Sequence, residues 1–369
     1  MIHAALAPLI ALLLSAQTQP RPAEPPVDGA AVLAAIDPAR AAGTILVARG
    51  DRIVFESAIG TVDPAGTVPH RLGQVWRWAS VTKQVTATIA MQEVAAGRLD
   101  LDAPIRRYLP DSKAPFADRI TARMLMQHIS GLPHTEDAPG GPEDWSDFYR
   151  APLGSAGTGR KWCEGPTDRA PPAAFHYGDC DFIMMGAVIE ATSGKPYAAL
   201  IRERIVRPLG LRSVELFPRR VPTVVGYENG RRESSRFRIE NFGAAGALYG
   251  TTRDLLAFDR ALMTGRLLPA AARAQMWTGD PKLGFAAFGQ WAFETPLKNC
   301  GAKPVRIIER RGAIGGVVLR NIILPDLDTV IIMTSNRAEA DAAYGEIWQQ
   351  AGITHDVMRA LLCKGGTPA

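Results

Sequence analysis

Two β-rich runs open the ordered pattern of the chain. Gly43-Thr44-Ile45-Leu46-Val47-Ala48-Arg49 and Arg52-Ile53-Val54-Phe55-Glu56-Ser57 flank the turn pair Gly50-Asp51 and predict a β-hairpin. A helix is expected before it, over residues 27–42. From residue 80 to about 260 the apolar positions recur mainly at helical spacing. A helical stripe over 81–96 is closed by Gly97, an apolar helix over 182–192 by Gly194, and a third over 251–264 by Gly265. Long Gly- and Pro-rich segments lie between them, above all 133–172, and read as irregular surface wrapping a cleft. The last third returns to strands, at 289–293, 305–310, 316–324 and 329–334, with the turn Pro325-Asp326-Leu327-Asp328 between the last two. Helices over 341–350 and 356–363 close the chain, and no internal repeat is visible. Strands at both ends around a helical middle predict an α+β fold. One sheet is built from both chain ends (an α/β lobe of about 27–79 and 265–369), and a large, mainly helical insertion (about 80–264) forms a second lobe of the same domain.

Composition narrows the class. The 369 residues are 47% hydrophobic and 21% charged, enough for a large core in one domain or two packed lobes. The net charge of +5 is spread over isolated pairs such as Arg106-Arg107, Arg219-Arg220, Arg231-Arg232 and Arg310-Arg311, not a basic run interleaved with aromatics, so no nucleic-acid partner is expected. Residues 1–16 form a short apolar run ending in small residues and resemble a secretory signal cut near Ala16, although the run lacks an N-terminal Lys or Arg; an uncleaved anchor is the alternative. A Pro-rich tether over 17–26 follows, and no later stretch is apolar enough to span a bilayer. A periplasmic or secreted protein is expected. Cys163, Cys180, Cys300 and Cys363 then allow three disulfide connectivities, of which proximity in the chain favours Cys163–Cys180 with Cys300–Cys363. No Cys-x-x-Cys or His-x-x-x-His cluster suggests a metal, and no cofactor is expected.

The chemistry centres on Ser80-Val81-Thr82-Lys83, the one Ser-x-x-Lys in the chain. Residues three apart at a helix start share a face, so the Lys83 amine can reach the Ser80 hydroxyl and activate it as a nucleophile. The helix N-terminus favours the negative charge that develops there. A helix cap with a solvated lysine fits the same four residues. Tyr177-Gly178-Asp179 forms a polar turn before an apolar helix, where a tyrosine can relay protons between nucleophile and leaving group or simply cover the core. A rival, Tyr227-Glu228-Asn229, has no apolar helix after it. Glu309-Arg310-Arg311-Gly312-Ala313-Ile314-Gly315-Gly316 ends one strand and begins the next; its glycines suit a close backbone approach, and period-2 alternation puts Arg310 and Gly312 on one face and Arg311 on the other.

Ser80-x-x-Lys83, Tyr177-Gly178-Asp179 and Arg310-x-Gly312 resemble, in order and rough spacing, the three motifs of serine β-lactamases and penicillin-binding proteins. The connecting text is similar to the class C β-lactamase-related branch, which also holds esterases, D-Ala-D-Ala carboxypeptidases and D-amino-acid amidases. Matching stretches include Gly97-Arg98-Leu99-Asp100-Leu101-Asp102, His128-Ile129-Ser130-Gly131-Leu132-Pro133, Pro208-Leu209-Gly210-Leu211 and Ala245-Gly246-Ala247-Leu248-Tyr249-Gly250, and the likeness covers about 27–350. It implies a β-lactamase/transpeptidase-like fold with an antiparallel sheet flanked by helices. Ser80 is then the acylated nucleophile, Lys83 its base, Tyr177 the proton relay, and the N–H groups of Ser80 and Ala313 the oxyanion hole.

Two departures modify that picture. The family usually has Asn at the position of Asp179, and an ionised Asp cannot donate to a substrate amide and favours a charged Lys83. The third motif usually opens with Lys or His, and Arg310 there suits either a substrate carboxylate or a solvent-facing position beside neutral esters. The sequence therefore reads as a serine hydrolase acting through a Ser80 acyl-enzyme, closer to an esterase or peptidase/amidase than to a dedicated β-lactamase. A slowly deacylating penicillin-binding sensor and a true class C-type β-lactamase are the alternatives, and a small-molecule or peptide substrate is the expected partner.

Overall fold

The computed structural model describes residues 26–140, 146–155, 158–218, 222–301 and 303–363. The expected signal segment, nearly all of the tether and the Arg219-Arg220 pair lie outside them. Seven strands form one antiparallel sheet: β1 (Gly43–Arg49), β2 (Arg52–Ile59), β3 (Ala286–Ala287), β4 (Gln290–Thr295), β5 (Val305–Ile314), β6 (Val317–Leu324) and β7 (Thr329–Ser335), in the order β2-β1-β7-β6-β5-β4-β3. The N-terminal hairpin joins the C-terminal strands through β1 and β7, which pair from Gly43–Ser335 to Arg49–Thr329. Gly50 turns the hairpin at φ +56°, a conformation that costs glycine nothing.

Every residue of β6 and β7 is buried, because helices cover both faces of the sheet centre. One face packs Ile322, Ile331 and Met333 against Val357 and Met358 of the C-terminal helix. The other packs Leu319, Ile323 and Ile332 against the large core that contains Val85, Ile89 and Phe258. The helices that matter for the site are α1 (Gly29–Ala34), α2 (Thr82–Ala95), α3 (Asp179–Ser193), α4 (Thr252–Met263) and α5 (Ile353–Leu362). Helix α2 is buried almost all round, so it forms the spine of the helical layer rather than an amphipathic cover. Gly97 and Gly194, at φ +70° and +69°, end α2 and α3 as the sequence predicts.

Three expectations change in detail. The N-terminal helix is only α1, not 27–42: Pro38 has no N–H to continue it and disfavours helical Asp37, whose side chain accepts from Ala39 instead. The helix expected over 341–350 breaks at Gly345 (φ +66°) into Ala340–Tyr344 and a 3-10 turn, Ile347–Gln349. Strand β5 runs on to Ile314, four residues past the expected end, because β6 pairs with it as far as Ile314–Val317. Cys163–Cys180 and Cys300–Cys363 form the two disulfides, with Cα–Cα separations of 5.1 and 4.9 Å. Among the described residues no helix is long and apolar enough to cross a membrane.

Candidate active site

The turn that carries Ser80 is fixed from three sides. Trp76–Arg77 pairs with Tyr249–Gly250, and the Trp78 N–H donates to Leu248 O at 2.9 Å. Trp76, Arg77 and Trp78 are fully buried, so the chain enters the site held rigidly. Ala79 then takes φ +46°, a left-handed conformation that costs an L-residue about 1–2 kcal/mol. That turn lifts Ser80 onto the 3-10 segment Ala79–Val81 ahead of α2. Strand β5 crosses directly beneath. A Cβ on Gly312 would lie 2.4 Å from Trp78 O and 3.3 Å from Ser80 N, so glycine there serves the approach of β5 to the Ser80 turn. The ladder between β5 and β4 stops at Glu309–Trp291, which leaves Arg310–Ile314 paired only with β6 and Ala313 open to the cleft.

Lys83, the second residue of α2 and one turn past Ser80, is wholly buried and has three oxygen partners: Ser80 Oγ at 3.2 Å, Asp179 Oδ1 at 2.5 Å and Ala245 O at 3.0 Å. Three acceptors match the three N–H donors of an ammonium. Asp179 is the first residue of α3, where the helix N-terminus favours a carboxylate. The Tyr177 hydroxyl is 2.8 Å from Ser80 Oγ, and Lys83 Nζ lies 5.0 Å from the centre of the Tyr177 ring. Arg310 is 2% exposed: it donates to Ser80 O at 2.8 Å and to the Tyr177 hydroxyl, and its guanidinium stands over the rings of Tyr177 and Trp291 at 5.0 and 5.1 Å. It therefore points neither to solvent nor into the open cleft, since burial and two oxygen partners hold it behind Tyr177. Arg311, on the opposite face as expected, pairs with Glu346 and Glu309.

His128, Ser130 and Asp181 support the tyrosine turn from behind. His128, at φ +59°, has Nδ1 3.0 Å from Asp181 Oδ2 and 3.3 Å from the Gly178 N–H, while Ser130 donates to Asp181 Oδ1. An Nδ1 that accepts from Gly178 leaves the shared proton to Asp181. Burial raises Asp181 to about 7 and, with Lys83 nearby, pushes His128 well below its ordinary range, in keeping with that placement. His128 and Asp181 were not singled out by sequence reasoning beyond the family-like His-x-Ser-Gly stretch. Glu136, Tyr149 and Trp291 were also missed, because nothing in their local sequence marks them. Tyr227, the rival tyrosine, sits in a two-residue strand with the Arg337 guanidinium over its ring.

The cleft above Ser80 has a volume of about 660 Å³, and its walls include Tyr177, Asp179, Tyr149, Phe237 and Ala313. Thus Ser80, Lys83, Tyr177, Asp179 and Arg310 form one hydrogen-bonded cluster, with Gly312 beneath it and Ala313 on its rim. The Beta-lactamase family profile matches residues 29–353. The chain belongs to the Beta-lactamase family. It is 32% identical over 207 residues to Esterase EstB of Burkholderia gladioli (52% of each chain) and 29% identical over 180 residues to the D-alanyl-D-alanine-carboxypeptidase/endopeptidase AmpH of Escherichia coli K12 (47% of this chain, 45% of AmpH). The matches thus span about half the length of these curated relatives. Among solved structures, a D-stereospecific amidohydrolase from Streptomyces sp. superposes with TM-score 0.70 at 25% identity, covering 91% of this chain and 99% of that one. The D-amino acid amidase of Ochrobactrum anthropi SV3 shares the fold at TM-score 0.72 and 20% identity, over 90% and 98% of the two chains.

Proposed function

We propose that this chain is a serine hydrolase that cleaves esters or amides by two-step acyl transfer. The observation that supports it best is the convergence of Tyr177 Oη (2.8 Å) and Lys83 Nζ (3.2 Å) on Ser80 Oγ at the floor of an open cleft. Ser80 Oγ attacks the acyl carbon, and its proton passes to Tyr177 Oη and on to the leaving group as the bond to that group breaks. Water then attacks the acyl-enzyme along the same relay, and the proton returns to Ser80. The N–H groups of Ser80 and Ala313 receive the carbonyl oxygen as it gains charge. Lys83, paired with Asp179, serves as the fixed cation beside the relay rather than as the free base. Arg310 orients Tyr177 and ties β5 to the nucleophile turn. The esterase, carboxypeptidase and amidohydrolase relatives agree with hydrolysis of esters, peptides or amides. Two disulfides and the apolar N-terminal run favour export to the periplasm or beyond.

Intact-mass measurement after a fluorophosphonate or penicillin probe tests this reading. One adduct on the parent and none on Ser80→Ala is expected, with steady-state turnover of a small ester. Adduct formation with no turnover after the first equivalent indicates a slowly deacylating sensor, and no Ser80-dependent adduct sinks the proposal.

A further inference from the structure

The two N–H groups that receive the carbonyl oxygen in the hydrolase reading sit on separate pieces of chain, Ser80 on its turn and Ala313 on β5. The two pieces are tied together at two places. Ahead of Ala313, Arg310 donates to Ser80 O at 2.8 Å, and glycine at 312 lets β5 close on Trp78 O. Beyond Ala313, β5 and β6 turn through Gly315 and Gly316, at φ +54° and +75°. Both residues are left-handed, as a tight two-residue hairpin turn requires. There Arg77 Nη1 donates to Gly315 O at 3.3 Å. Arg77 belongs to the short strand that leads into Ser80. One side chain thus joins the approach to Ser80 with the far end of the strand that carries Ala313.

Arg77 is itself clamped. It is 1% exposed, and its two terminal nitrogens form a forked pair with both oxygens of Glu233, whose side chain is 12% exposed. A carboxylate that grips a guanidinium at two nitrogens fixes its plane, which a single contact does not do. Glu233 reaches Arg77 from a short hairpin arm: Tyr227–Glu228 pairs with Arg231–Arg232, and the Glu233 N–H donates to Gly226 O at 3.0 Å. The arm is anchored where the Val224 N–H donates to Val75 O and the Tyr227 N–H to Asn336 O, each at 2.9 Å. It lies close against the β5–β6 turn. A Cβ on Gly315 would fall 2.7 Å from Glu233 Oε2 and 2.8 Å from Arg77 Nη1, and one on Gly316 2.5 Å from Tyr227 N. The arm, the approach to Ser80 and the β5–β6 turn therefore meet at one ion pair. Neither Arg77 nor Glu233 is among the described residues that line the cleft, so the pair can act on a substrate only through the backbone it holds.

We propose that Arg77 and Glu233 are positioning residues for the oxyanion hole, which set the Ala313 N–H against the Ser80 N–H. This rests on the hydrolase reading above. The test compares an activated ester with its thionoester, whose sulfur is larger and a weaker acceptor and so gains little from the two N–H groups. Glu233→Gln keeps the shape of the side chain and removes the charge that fixes the fork. It should lower kcat for the oxygen ester about ten- to hundred-fold while KM stays within about two-fold. The thionoester rate should fall much less, so the oxygen-to-sulfur ratio of kcat/KM narrows about ten-fold. Arg77→Lys keeps the charge without the fork and should narrow the ratio likewise. The double variant should lose little more than the worse single one, because the two residues act as a unit. Circular dichroism checks folding, and Arg77→Lys decides by the same ratio should Glu233→Gln not fold. An unchanged ratio, or a rise in KM at constant kcat, in an enzyme whose parent turns over the oxygen ester overturns this inference alone. A parent that does not turn over the oxygen ester overturns the hydrolase reading and this inference with it.

Discussion

Lys83 Nζ is closer to Asp179 Oδ1, at 2.5 Å, than to Ser80 Oγ, at 3.2 Å. The lysine that the Ser-x-x-Lys motif offers as a base is thus held as half of an ion pair, and the tyrosine, at 2.8 Å, is the nearer partner of Ser80 Oγ. Asp179→Asn removes one negative charge beside Lys83 and Tyr177, so the kcat/KM profile should move toward lower pH by about one unit or more. Stopped-flow hydrolysis of an activated ester from pH 5 to 10 measures it; an unmoved profile argues against this coupling.

Arg310 separates two roles by substrate. As the partner of the Tyr177 hydroxyl and Ser80 O, its loss should lower kcat on the order of a hundred-fold with little change in KM, equally for neutral and carboxylate-bearing substrates. Arg310→Lys should recover part of the rate by restoring one donor. A loss confined to carboxylate-bearing substrates would instead place Arg310 at the substrate.

Gly312→Ala should cost about 1–3 kcal/mol of stability and most of the activity, because the added methyl meets Trp78 O at 2.4 Å and Ser80 N at 3.3 Å. Urea unfolding together with fluorophosphonate labelling rates checks both. Labelling at the parent rate would show that β5 shifts without moving Ser80.

Asp259 predicts a pH-dependent stability remote from the reaction. It is fully buried in α4, accepts from Asn321 at 3.0 Å and Gln84 at 3.4 Å, and burial raises its carboxyl from 3.8 to about 8. The folded protein keeps a proton that the unfolded chain releases above pH 3.8, so this contribution is full below that pH and declines as pH rises toward 8. The loss is at most about 1.4 kcal/mol per pH unit. Asp259→Asn keeps the shape without the titration, so its Tm advantage over the parent should grow between pH 5 and pH 8; a constant difference would show that Asp259 does not titrate there.

The two disulfides should separate stability from activity. Cys163–Cys180 ends one residue after Asp179 and closes a separation of 17 residues, so replacing both cysteines with Ala should cost about 3 kcal/mol and also slow Ser80 acylation. Replacing Cys300 and Cys363, which sit among residues packed against the other core, should lower stability and leave acylation near the parent rate.

Much of this was written in local sequence. The hairpin around Gly50, the helices ending at Gly97, Gly194 and Gly265, and the strands of the last third depend on turn chemistry and short-range periodicity, which neighbours along the chain supply. Ser80 and Lys83 were legible for the same reason, since one helical turn brings them together. The helix expected over 27–42 stops at Ala34, ahead of Pro38, whose local signal against a helix sits inside an alanine-rich stretch that favours one. The sequence alone thus determined the elements, both disulfide pairings favoured by proximity, and a Ser–Lys–Tyr set in the right order. Tertiary structure decided how those residues meet. Only the packing of α3 against α2 sets Asp179 on Lys83, 96 positions away, and only the crossing of β5 under Ser80 turns Arg310 inward onto Tyr177. The charge of the cleft was likewise invisible, because Glu136, Glu228 and Asp341 come from three separate segments. An electrostatic environment is a sum over neighbours in space, and a sequence orders neighbours only along the chain.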